Sequence, residues 1–297
     1  MTHSTDRRRV MKLAAAAGGA LALGHTGTAG AAAAAPGPVV TRPEVRTLTT
    51  QQWREFVAAV HQLHSGDTTT NLYDRMVATH SNNASRAHGV PAFLPWHRVY
   101  LSRFEKSLQK INPSVVLPYW DWSRDAQAPE SSPVLSSSYF GGPGRKPDGA
   151  VVDGAFANWR CTVPNPHALR RTTDARIPAF HSSEAVEGTV VRATSYDQLR
   201  RSLEAPHGTV HTAIGGHNGD MSFMYAPNDP LFWVAEAFTD LLWAEWQQRH
   251  PALARTYNGG SARPSDLLRP FGVTVESTFD TRDLGYTYPR WSSNRTA

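Results

Sequence analysis

Cysteine is almost absent from this chain of 297 residues, which contains only Cys161. One cysteine cannot form an intramolecular disulfide, so the fold must be stabilised by its packed core and by any metal that it binds. After residue 35 the chain also lacks a block of five or six like charges and a hydrophobic run long enough to cross a bilayer. These absences argue against a nucleic-acid-binding protein and against a membrane-spanning one.

The first 35 residues have the pattern of an export signal. Charged residues with adjacent arginines occupy positions 6–12, an apolar stretch of eleven residues follows at 13–23, and small residues at 29–35 offer cleavage sites. The adjacent arginines followed by Val-Met-Lys are similar to a twin-arginine signal, and a disordered alanine-rich tail is the alternative. This segment holds four basic residues and one acidic residue, so its removal lowers the formal net charge from +5 to +2. We predict a twin-arginine-type export signal over residues 1–35, a secreted or extracytoplasmic location, and one domain over residues 36–297.

Apolar side chains recur at three- and four-residue spacing along much of the remaining chain, which is typical of amphipathic helices. Thr49 and Thr50 can cap the first of these helices, and Asp229 followed by Pro230 can open the last. The segments with this spacing are 53–64, 72–80, 96–108, 195–203, 206–214 and 230–248. Strand-like runs are few and short, and the Ser-, Gly- and Pro-rich residues 131–153 predict a long surface loop. The sequence therefore predicts a mainly α-helical domain.

Histidines lie on the apolar faces of several predicted helices. His207 and His211 are four residues apart, which places both rings on one face of a helix, where they can bind one metal ion. His97 lies on another apolar face, and His88 precedes it in a loop. Each ring taken alone is more often a core histidine, yet several buried rings need partners for their nitrogens, and a shared metal would satisfy them together. The pattern indicates a metal site inside a helical bundle.

Two parts of the sequence resemble the copper motifs of tyrosinases. Residues 88–108, HGVPAFLPWHRVYLSRFEKSL, resemble the first motif, and LPYWDW at 117–122 continues the match. Residues 206–217, PHGTVHTAIGGH, followed by APNDPLFW and DLLWAEWQ, resemble the second motif and the helix after it. The resemblance covers most of residues 50–250 and implies a helical-bundle core of the tyrosinase and hemocyanin type, with long loops and little strand.

The resemblance also implies a function. Family members oxidise phenols or catechols to ortho-quinones with dioxygen at two copper ions, so phenolic small molecules and dioxygen are the expected partners. By position, the first copper would be bound by His80, His88 and His97, and the second site would begin with His207 and His211. Whether a helper protein delivers the copper stays open.

Two positions depart from the family pattern. After the run that corresponds to DPLFW and one further residue, the family has two consecutive histidines, the second of which is a copper ligand; this chain has Ala235 and Glu236. A carboxylate is hard and anionic, so Glu236 should favour a divalent metal over cuprous copper. Gly208 replaces the asparagine that is common in members that hydroxylate monophenols. We therefore expect a weakened or altered oxidase that acts on catechols or aminophenols more readily than on monophenols.

Three other functions stay open. His207, His211 and Glu236 form a two-histidine, one-carboxylate set of the kind used by zinc hydrolases and non-haem iron oxygenases, although zinc proteases carry a glutamate where this chain has Gly208. Alternatively, Glu236 pairs with a neighbouring base and the second site is empty or completed by His217, in a relative that binds copper or phenols without turnover. Oxygen carriage, as in molluscan blood proteins of this fold, poorly suits a small exported chain without repeats.

Overall fold

Seven α-helices are the main secondary structure of the described chain, which comprises residues 38–66, 71–173 and 177–292 of a computed structural model. They are α1 (Thr50–Leu63), α2 (Leu72–Asn82), α3 (Ala84–Ala87), α4 (Phe93–Ile111), α5 (Ser183–Arg192), α6 (Tyr196–Gly215) and α7 (Leu231–Arg249). None of the helices in these ranges is long and apolar enough to cross a membrane. The export signal predicted for residues 1–35 lies outside the described residues, and the division of the chain at residue 35 stays a prediction.

Polar caps explain where the first two helices begin. The Thr49 hydroxyl accepts a hydrogen bond from the N–H of Gln52, and the Gln52 side chain accepts one from the N–H of Thr49, so α1 begins with a reciprocal capping box. The side chain of Asn71 accepts the N–H of Asp74 at the start of α2. These contacts satisfy N–H groups that have no partner inside the first turn of a helix. The predictions for α1 and α2 are confirmed.

α6 is longer than the sequence prediction, which placed separate helices at 195–203 and 206–214. The structure has one continuous helix with Pro206 inside it. Proline has no N–H to donate and disfavours a helix interior, which is why the sequence indicated a break there. Pro206 is buried, as are Leu203 and Val210 on either side of it. Tertiary packing of this apolar face therefore keeps the helix continuous through the proline.

α5 was not predicted, because residues 183–192 include Gly188 and three consecutive β-branched residues that form helices weakly. Packing against α6 and α7 stabilises it instead.

The prediction of a surface loop at 131–153 was partly wrong. Val134, Phe140 and Val151 are buried within it, and the buried Arg171 donates hydrogen bonds to three of the loop's main-chain carbonyls.

α4 and α7 pack against each other and bury most of their side chains. The rings of Phe104 and Trp233 stack at 3.7 Å between their centres. Arg98 donates to Asp240 at 2.5 Å with both side chains buried. Breaking such a pair by removing one partner typically costs about 3–5 kcal/mol, because the other charge is left buried and unpaired. This ion pair therefore holds the two helices in one register.

The described strands are short and form three two-stranded sheets. β1 (Val40–Thr41) pairs in parallel with β6 (Tyr286–Thr287), which joins the two ends of the described chain. β2 (Arg160–Cys161) pairs antiparallel with β3 (His167–Ala168), and β4 (Leu267–Leu268) with β5 (Val273–Thr274). The prediction of a mainly α-helical domain with little strand is confirmed.

Candidate metal centre

The predicted ligand residues come from five places in the chain and meet in two clusters. His80 lies in the last turn of α2, His88 directly follows α3, and His97 lies in the second turn of α4. We call these three residues the first cluster. The second cluster consists of His207 and His211 on α6 and Glu236 on α7. Within each cluster, one ligand atom per residue lies within 4.8 Å of the others, which is close enough for all three to bind one ion.

The first cluster is a set of three closely spaced imidazoles. The ring centres of His80, His88 and His97 are 4.9–5.5 Å apart. The Nε2 atoms of His80 and His97 lie 3.4 Å from each other. All three rings therefore point toward one small volume.

Hydrogen bonds determine which ring nitrogen faces that volume. The Nδ1 atoms of His80 and His97 lie 2.7 Å from the carbonyl oxygen of Met224 and 2.8 Å from that of Phe93, respectively. A carbonyl oxygen only accepts, so each Nδ1 carries the proton, and the lone pair of the neutral ring is on Nε2. The same reasoning applies to His88, whose Nδ1 lies 3.2 Å from the carbonyl oxygen of Ala84. Two lone pairs that face each other repel unless a cation lies between them, so this arrangement suits a metal ion.

The second cluster is built around a buried carboxylate. Glu236 Oε1 lies 2.5 Å from His207 Nε2 and 3.0 Å from His211 Nε2. Only 1% of Glu236 is exposed, and its second oxygen, Oε2, has no hydrogen-bond partner among the described residues. An unsatisfied buried carboxylate oxygen is costly, and a bound metal would satisfy it.

The three rings of the first cluster do not take up a second proton. Burial, with a smaller contribution from His88, lowers the pKa of His80 to about 3. Burial and the neighbouring His207 lower the pKa of His88 to about 4, and burial places the pKa of His97 well below its usual value. These rings are neutral near pH 7, which is the form that binds metal.

The carboxylate of Glu236 shifts the pKa values in the second cluster. Burial alone would lower the pKa of His207, but the Glu236 carboxylate outweighs it and raises that pKa. Burial would likewise raise the pKa of Glu236, but the charge on His207 outweighs burial and holds the pKa well below its usual value. Burial lowers the pKa of His211, and the nearby His207 lowers it further. The second cluster therefore contains a hydrogen-bonded histidine–carboxylate pair, and a metal ion bound there must displace the proton between His207 Nε2 and Glu236 Oε1.

Two phenylalanines bridge the clusters. Phe93 packs against His97 and His207, with ring centres 5.0 and 5.1 Å apart. Phe232 packs against His80 and His211 at 5.1 and 5.7 Å. Each phenylalanine thus contacts one histidine of each cluster and places an apolar ring beside both. Across the gap, the ring centres of His97 and His207 are 6.2 Å apart.

Gly208 and His217 were also named from the sequence. No described atom outside the helix's own backbone lies within 4 Å of a Cβ built on Gly208, so the side chain that this position lacks would enter open space next to His207. His217 is exposed and lines a separate surface depression with Gly144 and Asn218. It is not among the residues of the second cluster, in which Glu236 is the third member.

Sequence reasoning missed the main-chain carbonyls that orient the histidines. His211 Nδ1 lies 3.1 Å from the carbonyl oxygen of Met221, as His80 Nδ1 lies 2.7 Å from that of Met224. Every residue type carries a carbonyl, so no side-chain pattern marks these acceptors. For His97 and His88 the acceptor is four residues earlier, which helical spacing could have indicated.

Solved structures share this fold. A mutant polyphenol oxidase from Thermothelomyces thermophila superposes with a TM-score of 0.74 at 23% identity, covering 85% of this chain and 89% of that chain. A functional unit of octopus hemocyanin superposes with a TM-score of 0.65 at 24% identity, covering 84% and 68%. The predicted helical core of the tyrosinase and hemocyanin type is confirmed.

Sequence comparison reaches the same family. Residues 70–249 match the family model described as the common central domain of tyrosinase. The chain is 34% identical to a tyrosinase of Streptomyces antibioticus over 280 residues, which cover 84% of this chain and 99% of that protein. It is 31% identical to a grixazone synthase of Streptomyces griseus, over 69% of this chain and 83% of that protein. The chain therefore belongs to the tyrosinase family.

Proposed function

We propose that this protein is a binuclear copper oxidoreductase that oxidises phenols, catechols or aminophenols to ortho-quinones with dioxygen. The observation that carries the proposal is the pair of ligand clusters that face each other across 6.2 Å between the His97 and His207 ring centres. With catechol as the substrate, two molecules of catechol react with one of dioxygen to give two ortho-quinones and two waters. Each catechol loses two electrons and two protons.

Copper suits the residues that are present. Imidazole nitrogen is a ligand that copper accepts in both of its common oxidation states. In the first cluster, the lone pairs of three neutral imidazoles converge, and those of His80 and His97 are 3.4 Å apart. In the second cluster, Glu236 Oε1 lies next to two imidazoles, and Oε2 has no described hydrogen-bond partner. The first cluster would hold one copper ion and the second cluster the other.

The bound copper pair would supply the electron transfer between phenol and dioxygen, and the protein supplies position and charge. Main-chain carbonyls fix the proton of His80, His97 and His211 on Nδ1, so that Nε2 is the coordinating atom. Phe93 and Phe232 place apolar rings beside both clusters.

Glu236 makes the two metal sites differ in the charge of the ion that they favour. As an anionic ligand it stabilises a divalent ion more than a monovalent one, so the second copper should be harder to reduce than the first. Gly208 leaves open space where a side chain could orient a monophenol. Both features support an oxidase that turns over catechols or aminophenols faster than monophenols.

A second candidate function rests on Glu236 itself. Two histidines and one carboxylate also suit zinc or non-haem iron. In that case the protein is a single-copper or mixed-metal relative that binds phenols without oxidising them.

One experiment separates the two functions. Metal content and oxygen uptake with catechol are measured for the purified protein and for Glu236→His, with Glu245→Gln as the matched control because Glu245 is a buried carboxylate elsewhere on α7. Two coppers per chain with uptake in the natural protein support the oxidase. One copper or a different metal without uptake, together with activity gained in Glu236→His, would favour the second candidate.

We also propose that residues 1–35 direct twin-arginine-type export, which would place the protein outside the cytoplasm. This pathway carries folded proteins, so copper could be inserted beforehand, with or without a helper protein. Replacing the adjacent arginines by lysines should leave the protein in the cytoplasm, and unchanged export would contradict the proposal.

A further inference from the structure

One short segment contributes a carbonyl to each cluster. Met224 accepts the Nδ1 proton of His80 in the first cluster, and Met221 accepts that of His211 in the second. The other two tethered rings, His88 and His97, use carbonyls four residues earlier in their own helical turns. The orientation of one histidine in each cluster thus depends on where residues 220–228, which we call the tether segment, are placed.

A buried carboxylate closes the tether segment on itself. Asp220 and Asn228, its first and last residues, are 2% and 1% exposed. Asp220 Oδ1 accepts a hydrogen bond from the side-chain amide of Asn228 at 2.8 Å. Its other oxygen, Oδ2, accepts the main-chain N–H of Arg170 at 2.8 Å. The two ends of the segment are therefore joined to each other and to the chain just after β3.

His167 completes this contact. Its Nε2 lies 2.8 Å from Asp220 Oδ1, and its Nδ1 lies 2.7 Å from the carbonyl oxygen of Asn165. Both partners only accept, so the ring donates from both nitrogens as an imidazolium. The resulting ion pair is mostly buried, with 11% of the His167 side chain and 1% of the Asp220 side chain exposed. Charge-assisted hydrogen bonds of this kind are stronger than neutral ones.

Other contacts hold the tether segment from two further directions. The hydroxyl of Tyr73, on α2, donates to the carbonyl oxygen of Pro227 at 2.8 Å. The amide of Asn228 also donates to the carbonyl oxygen of Val163 at 2.6 Å. The segment is thus fixed against α2, which carries His80, and against the connection between β2 and β3.

A metal ion is the other use that this group of residues could have. Cys161, His167 and Asp220 each place a ligand-type atom within 4.8 Å of the other two. However, both ring nitrogens of His167 and both oxygens of Asp220 already have hydrogen-bond partners. Burial also raises the pKa of the Cys161 thiol, which disfavours the thiolate that a metal needs. The hydrogen-bonded arrangement accounts for these contacts without an ion.

We propose that His167, Asp220 and Asn228 are positioning residues that act on both clusters at once, by holding the carbonyls of Met221 and Met224 against His211 and His80. The inference rests on the proposed metal-binding role of the two clusters. A group that accepts the free ring N–H of a ligand histidine fixes its tautomer and orientation, and loss of such a group typically costs about 10–100-fold in metal affinity. Here the positioning residues do not touch the ligand histidines themselves. They hold the two carbonyls that do, and these carbonyls serve both clusters.

The test compares His167→Ala with His167→Gln, in which a side-chain amide can still donate to Asp220. His64→Ala is the matched control, because His64 also faces a buried aspartate, Asp74, at 3.4 Å but makes no described contact with the tether segment. Nitrogen-15 NMR of the metal-free proteins reports the tautomer of each histidine ring. Chelator competition then gives the copper affinity of each cluster.

In the natural protein we expect Nδ1 of His80 and Nδ1 of His211 to be protonated and to donate to the carbonyls of Met224 and Met221. In His167→Ala the rings of His80 and His211 should become mixtures of forms protonated on Nδ1 and on Nε2. His88 and His97 should stay unchanged and serve as internal controls. Copper affinity should fall about 10–100-fold at both clusters. His167→Gln should restore most of it, and His64→Ala should change it less than about threefold.

Asn228→Ser is a second route to the same answer if His167→Ala does not fold, since it removes the amide that joins the two ends of the tether segment. Unchanged tautomers and affinities in the folded variants would overturn the inference and leave the proposed function intact. Loss of a third metal ion from His167→Ala would overturn it too, by making His167 a ligand. A natural protein that binds no metal at all would instead reject the proposed function, and this inference with it.

Discussion

The first and second clusters face each other inside the same helical frame, yet they hold protons differently. Three neutral imidazoles form the first cluster, where burial keeps the pKa of His80 at about 3 and that of His88 at about 4. The second cluster has a carboxylate in place of one imidazole, and Glu236 raises the pKa of His207. One buried carboxylate is therefore enough to reverse the direction in which the pKa of a neighbouring ligand-type histidine is shifted.

The helical fold tolerates the buried charge of Glu236 because that charge has hydrogen-bond partners. An isolated carboxylate with 1% exposure would be strongly destabilising. Glu236 Oε1 instead lies within hydrogen-bonding distance of both His207 and His211. The ion pair of Arg98 with Asp240, which joins α4 to α7, does not involve a residue of the second cluster. The fold can thus be retained while the chemistry of one metal position changes.

The largest expected effect comes from removing the charge that distinguishes the clusters. Glu236→Gln keeps the shape of the side chain, but it should weaken metal binding at the second cluster by about 1,000-fold, or about 4 kcal/mol. The first cluster should keep its metal. Equilibrium dialysis against a chelator measures both, and Glu245→Gln should change neither. If both metals were lost equally, the two clusters would not be separate sites.

A smaller effect is expected from pH in chelator-treated protein, with opposite signs for His80 and His88 of the first cluster and for His207 of the second. His80 and His88 have lowered pKa values in the folded state, so their contribution to stability is fully present above about pH 6.5 and is lost as the pH falls toward about 4 and 3. For His88 this amounts to roughly 3 kcal/mol. The pKa of His207 is raised, so its contribution is fully present below about pH 6.5 and is lost as the pH rises through its folded-state pKa.

Urea unfolding of chelator-treated protein across the pH range measures both effects. His88→Gln should flatten the loss of stability on the acid side, whereas His207→Gln should flatten the loss on the alkaline side. Identical pH profiles for the two variants would mean that the clusters do not differ in how they hold protons.

The smallest effect is expected at Gly208, beside the second cluster. Open space lies where a Cβ on this residue would stand, so Gly208→Asn should fit without strain. Stability should rise by a few tenths of a kcal/mol, because glycine is the weaker helix former. The rate with a monophenol should rise severalfold relative to that with its catechol. Gly208→Ala separates the two effects, since it should give the stability gain without the change in substrate preference.

Much of the fold could be predicted from apolar spacing and capping residues. The cap at Thr49 was predicted from the type of its side chain, and it is present. α5 could not be predicted, because residues 183–192 form helices weakly and depend on packing against α6 and α7. Pro206 was misleading for the same reason, since its local effect is overridden by the apolar face that it helps to bury.

The ligand candidates could be chosen by motif and position, and the structure brings all six into the two clusters. The contacts that orient the histidine rings could not be predicted from the sequence. The carbonyls of Met221 and Met224 belong to residues whose side chains take no part, and Asp220 is joined to His167 across 53 positions of sequence. Only the folded chain decides which carbonyl meets which ring.

The sequence by itself determined the helical class, the family and the identities of the candidate ligands, including the glutamate that replaces a histidine. These depend on side-chain type and on local spacing, which are written directly in the chain. The tertiary structure alone decided which nitrogen of each ring is available and where the proton of the second cluster is held. Those properties depend on burial and on distances between residues far apart in sequence, because both a pKa and a hydrogen bond depend on the groups that surround an atom in space.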